Sequence, residues 1–183
     1  MKSQNYYFNM KKLFLYVFLV LMICNRGIAQ TFKLENCYMS EHHNPKMFSE
    51  SLDGFGVQTR FRSDVYEHNY YNIDTVFGNI FHVEAYTDNF YERYKQWKSE
   101  QGEGHVGDVD RNDLTKYPIS FSDENFIVTK EILDEKTHPW MQPGDNIIIT
   151  GTVDIKRKTF TRGTTGIFMG NTSPTTRTVH QCQ

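Results

Sequence analysis

What this chain lacks excludes much. Its 183 residues hold no G-x-S-x-G and no G-x-x-x-x-G-K-[ST]. Neither a nucleophile turn of that hydrolase type nor a phosphate-cradling loop is therefore written in it. None of its seven histidines pairs with another at i, i+4, the spacing of a helical zinc peptidase. There is no internal repeat. Outside residues 13–24 there is no apolar run that could approach the ~20 residues a membrane helix needs.

The first 29 residues explain that single run. Lys11 and Lys12 precede 12 apolar residues, and Gly-Ile-Ala precedes Gln30. A basic head, a short apolar stretch and a small residue at the cut describe a secretory signal peptide, with cleavage expected after Ala29. An equivalent start at Met10 is open, as is lipidation at Cys24. Residues 1–29 carry four basic and no acidic side chains, so residues 30–183 hold 16 basic and 22 acidic groups, a net charge of −6. That balance argues against nonspecific nucleic-acid binding. The expectation is a secreted or periplasmic protein with one β-rich domain over residues 30–183 and no membrane span after cleavage.

Cysteine is nearly absent: three in the whole chain, of which Cys24 falls in the leader. Cys37 and Cys182 remain, near opposite ends of the mature chain. Export to an oxidising compartment predicts a disulfide between them. Closing a loop of that length is worth about 4–5 kcal/mol in the chain-entropy limit. It would also place the first and last strands side by side.

The dominant period is two. Residues 55–64 alternate Phe55, Val57, Thr59 and Phe61 with Gln58, Arg60, Arg62 and Asp64. Residues 146–158 alternate Ile147, Ile149, Gly151, Val153 and Ile155 with Thr150, Thr152, Asp154, Lys156 and Lys158. Each reads as a half-buried strand. Residues 73–86 are apolar on both faces and read as one central strand. Residues 117–121 and 125–133 read as strands around the Ser122-Asp123-Glu124 turn. Residues 31–39 and 176–182 supply the terminal strands, and residues 166–170 a short one in a loop-heavy tail. Phe90, Tyr94 and Trp97 recur at helical spacing, with Thr87, Asp88 or Asn89 as cap and Asn89–Glu92 as a capping pair. The prediction is a mainly β fold, a sandwich or barrel of about eight strands with one helix over 89–100.

Chemistry is thin. The stretch GDVDRND holds Asp108, Asp110, Asn112 and Asp113. The first three match positions 1, 3 and 5 of a calcium loop, but position 6 is Asp113 where Gly is needed, and position 12 is Ile119 where Glu is needed. No cofactor is expected, with a calcium ion at these four residues the one alternative to a solvated loop. On a strand, His82 and Glu84 would point the same way and share a site, either as a surface ion pair or as a catalytic couple. Arg60, Arg62, Lys156 and Lys158 would form a basic patch if their strands were neighbours. Residues 30–183 keep 21 aromatic side chains. Tyr70 and Tyr71 in a polar, loop-like setting, and Trp140 in a turn, are candidate rings for stacking on sugars or anchoring a protein partner. A binding or interaction module for a carbohydrate or protein ligand is the first reading. A secreted hydrolase, perhaps metal-dependent through Asp108 and Asp110, and a structural envelope component are the alternatives.

Overall fold

The computed structural model describes residues 30–43, 57–101 and 110–183. It contains nine strands and one helix. In chain order they are β1 (Thr31–Leu34), β2 (Tyr38–His42), β3 (Tyr66–Asp74), β4 (Asn79–Tyr86), α1 (Asp88–Gln101), β5 (Asn112–Ser122), β6 (Phe126–Asp134), β7 (Asn146–Asp154), β8 (Thr159–Phe168) and β9 (Asn171–Gln181). All pairings are antiparallel, in the order β1-β3-β4-β5-β6-β7-β8-β9-β2. The sheet curls into a half-barrel, in agreement with the expected sandwich or barrel with one helix.

The curl is made at two corners, where a strand passes from one leaf of the sheet to the other. The first is β5, which pairs with β4 over residues 112–118 and with β6 over residues 119–122, with a register shift between Ile119 and Phe121. The second is the β1–β2 segment. These two strands occupy opposite ends of the sheet order, yet only Glu35, Asn36 and Cys37 separate them. Asn36 takes a left-handed φ of 50° at the break. The Cys37 amide donates to the Asn69 carbonyl of β3, and the Gln183 amide donates to the Glu35 carbonyl. The segment thus belongs to both edges at once. The disulfide Cys37–Cys182 fastens this corner, joining residues 145 apart in sequence.

Two packed clusters follow from the inward faces. Leu34, Ile73, Ile80, Tyr117, Ile127, Val153 and Phe160 surround the disulfide. Val65, Tyr66 and Tyr86 receive Phe90 and Tyr94 from α1, so the aromatic stripe of the helix is core contact. The helix starts one residue earlier than expected. Its cap is Thr87, whose Oγ1 accepts from the Phe90 amide at 3.3 Å, in place of the Asn89–Glu92 pair.

Several expected elements are corrected. Residues 57–65 form no strand; Phe61 packs instead against the cluster beside the helix. With that strand missing, Arg60 and Arg62 have no strand to share with Lys156 and Lys158, which lie in the turn after β7. The single strand expected over 73–86 is a hairpin: Asp74 Oδ1 accepts from the Val76 and Phe77 amides, and Gly78 at φ 69° completes the turn. The stretch around Tyr70 and Tyr71, expected as a loop, is strand β3. The tail expected to be loop-heavy is β8 and β9. Residues 166–170 end β8 and turn back through Met169 and Gly170, both at positive φ, as a tight hairpin requires.

Candidate ligand site at the open end of the half-barrel

The strand pairing defines two unlike ends. Residues 130–134 of β6 pair with β7 alone, and residues 112–118 of β5 pair with β4 alone. The two strands therefore part beyond the β5 bulge, and the leaves separate at that end. The helix, the start of β5, the β6–β7 connection and the β8–β9 turn all belong to the same end by antiparallel alternation.

Inside the gap the inward positions are polar. Register places Asn69 opposite Glu84, Tyr71 opposite His82, Glu84 opposite Asp113, and Arg162 opposite Gly151. His82 Nε2 lies 2.8 Å from Asn69 Oδ1, and Asn69 Nδ2 donates to Glu84 Oε1 at 3.3 Å. Asn69 thus reads His82 as a donor at Nε2 and leaves its Nδ1 as an acceptor. Across the gap, the Tyr71 hydroxyl and His180 Nδ1 are 2.9 Å apart. Ring contacts tie the leaves together: Tyr71 stacks on His82 with centroids 4.4 Å apart, touches Phe160 at 4.4 Å, and Tyr117 meets Phe160 at 5.2 Å.

Burial sets the protonation of these groups. It pushes His82 down to about 4, with the Arg162 charge adding to the effect. It pushes His180 down to about 3, helped by His82 and Arg162. Both imidazoles are neutral at pH 7. Burial raises Tyr71 well above the ordinary phenol value, so it stays protonated and donates to His180. Burial also pushes the Glu84 carboxyl up to about 7; a hydrogen bond with the Tyr86 hydroxyl opposes this, and Asp113 adds to it.

On the rim of the same end, Trp140 is 62% exposed and Met169 is 63% exposed. The Trp140 ring lies edge-on to Phe168 at 6.1 Å and to His138 at 5.6 Å. Asp145 holds this rim in place. Its buried carboxylate accepts from the amides of Met169 (3.0 Å), Gly170 (3.3 Å) and Gln142 (3.4 Å), linking the β6–β7 connection to the β8–β9 turn. Those three hydrogen bonds, with Met169 first, hold its pKa below the usual carboxylate range despite burial.

The residues singled out from sequence are distributed as follows. Trp140 stands on the exposed rim. Tyr71 is buried in the gap, and neighbouring Tyr70 faces the other way, half-buried, with Lys33 Nζ 3.7 Å above its ring. The two tyrosines do not share a surface. Asp108 lies outside the described residues. Asp110 is exposed before β5, while Asn112 and Asp113 open that strand; Asp113 accepts from Thr115 Oγ1 at 3.0 Å. Among the described residues no three His, Cys, Asp or Glu side chains gather as a metal ion would require. His82 and Glu84 do share a face, as expected, but an inward one, bridged by Asn69. Sequence reasoning missed Asn69, Arg162 and Asp145. Asp145 carried a usable signal in the Gln142-Pro143-Gly144-Asp145 turn, whereas Arg162 needed the register of β8. No family model, curated protein or solved structure matches this chain, so its function is read from this geometry.

Proposed function

We propose that this protein is an exported binding module that takes a carbohydrate or protein ligand at the open end of the half-barrel. The observation that carries this reading is Trp140. A large ring is held out in solvent on a turn that a buried carboxylate fixes to its neighbour. Exposed apolar surface on a rigid scaffold marks interaction sites, and an indole presents a flat face suited to a sugar ring or an apolar side chain. Tyr71 contributes from below, by orienting His180. The Cys37–Cys182 disulfide suits an oxidising compartment, and among the described residues no helix is long and apolar enough to cross a membrane. The leader over residues 1–29, which would direct export, is part of the same proposal.

The test is a broad glycan and protein binding screen with the wild-type chain, W140A and W140F. W140A is expected to lose at least 10-fold in affinity for any ligand found, and W140F to recover part of it. Unchanged binding by W140A would remove Trp140 from the site. The hydrolase alternative has one observation in its favour, a buried Glu84 carboxyl poised near neutral pH beside His82. A turnover assay on the ligands found, comparing wild type with E84Q, separates the two readings.

A further inference from the structure

The gap between the leaves contains a cation with no protein partner. Arg162 lies on β8 in register with Gly151 and two residues from the buried Phe160, so it faces inward. Yet it is exposed, which shows that water reaches the interior at its level. Its guanidinium carbon stands 6.0 Å from the centre of the Tyr117 ring on the far side of β6 and β7. Gly151 permits that crossing. A Cβ there would lie 2.4 Å from Thr129 Oγ1 and 2.8 Å from the Phe160 ring. Among the described residues, Arg162 forms no ion pair, although six other arginine and lysine side chains do.

Other polar atoms in the gap are also open. With Nδ1 taken by the Tyr71 hydroxyl, neutral His180 carries its proton on Nε2, which has no partner among the described residues. With Nε2 engaged by Asn69, His82 leaves Nδ1 as an unused acceptor. Glu84, held by Asn69 and Tyr86, is a further acceptor on the same face. The chemistry wanted is therefore mixed: one anion for Arg162 and His180 Nε2–H, and hydroxyl donors for His82 and Glu84. A guanidinium fork matches a carboxylate in a bidentate pair. A phosphate dianion fits worse, because one arginine cannot balance it and Glu84 and Asp113 stand at the same mouth. The flanking rings of Tyr117 and Phe160 offer faces for the apolar side of a pyranose.

We infer that the gap between the leaves is a binding site for a carboxylate-bearing sugar, with Arg162 pairing the carboxylate and His82 and Glu84 accepting sugar hydroxyls. This deepens the binding-module reading and rests on it. It is independent of whether Trp140 contributes.

The experiment titrates the full chain with a glucuronic-acid-terminated oligosaccharide, its glucose-terminated counterpart and a sulfated counterpart, using calorimetry. The Arg162 guanidinium resonance is followed by NMR in the same samples. The acidic sugar is expected to bind at least 10-fold more tightly than the neutral and sulfated ones and to shift the Arg162 resonance. R162Q should abolish that preference and R162K should keep part of it. Because Arg162 packs over Tyr117, R162Q folding is checked by melting; if it fails to fold, the wild-type resonance and R162K decide. Equal affinity for neutral and acidic sugar, an unmoved Arg162 resonance, or no binding of the acidic sugar overturns the inference. Binding of a neutral sugar or a protein lost in W140A but kept in R162Q would overturn it while leaving the binding-module reading intact.

Discussion

The two ends of the half-barrel are built from the same strands and by opposite means. At one end, inward positions are Leu34, Ile73, Ile80, Ile127 and Val153, and a covalent bond closes the corner. At the other, the inward positions are Asn69, Glu84, Asp113 and Arg162, and the strands part. A strand such as β4 changes character along its length, from Ile80 through His82 to Glu84, without leaving its face. Buried polar groups cost stability unless partnered. The apolar, cross-linked end supplies the stability that lets the other end keep its polar atoms and its gap. Stability and recognition are segregated along the strand axis.

That segregation makes ordered predictions. The largest effect belongs to the closed end. C37S/C182S is expected to lose about 2–5 kcal/mol, read as a drop in melting temperature, while the Trp140 fluorescence of the still-folded protein stays unchanged. A shift in that fluorescence at low temperature would mean that the ends are coupled. Next comes Gly151, where the two regions meet. G151V must displace Thr129 and Phe160 and is expected to cost about 1–3 kcal/mol, measured by denaturant unfolding.

The third prediction concerns pH. His82 and His180 are pushed down to about 4 and about 3 from 6.5, so the folded state resists their protonation. Their contribution to stability is full above about pH 6.5 and is lost as pH falls toward those values. Glu84 works in the other direction. Its folded value of about 7 lies above 4.5, so stability falls as pH rises between those limits. Melting curves across pH 4–8 should show E84Q relieved of the loss near neutrality. They should show H180Q relieved of part of the loss on acidification. A flat wild-type profile across that range would contradict the buried, polar character of the gap. The smallest effect should come from D145A, which frees the amides of Gln142, Met169 and Gly170. It should lower stability modestly and increase the mobility of Trp140, seen as reduced fluorescence anisotropy, while the disulfide end keeps its hydrogen-exchange protection.

The same division explains what the sequence let one read. Residues 146–154 alternate apolar and polar because Val153 faces an apolar interior, and that strand was legible. So were the disulfide, from the scarcity of cysteine, and the helix, from Phe90 and Tyr94. Strand β3 was not, because its inward residues in the open half are Asn69 and Tyr71, and a pattern search expects apolar side chains there. The Thr75–Gly78 turn was hidden for the converse reason. Val76 and Phe77 are exposed at 59% and 80%, so apolar residues sit where a turn should be polar. Residues 57–65 alternate well but have no partner strand that would make use of the alternation. Of the candidate site, Trp140 was visible as a ring in a turn. Arg162 was one of many basic residues until register turned it inward.

The split first strand carries a consequence for the order of events in folding. β2 finds its only partner in β9, and Cys37 its only partner in Cys182. The meander from β3 to β9 can assemble by local hairpins, each with its neighbour close in sequence. The corner cannot, because its contacts span nearly the whole chain, and such long closures are slow. The first residues of the fold must therefore wait for the last. Until the C-terminal strand arrives, both sheet edges stay exposed to pairing with other chains, and the cross-link seals them together in a single final step.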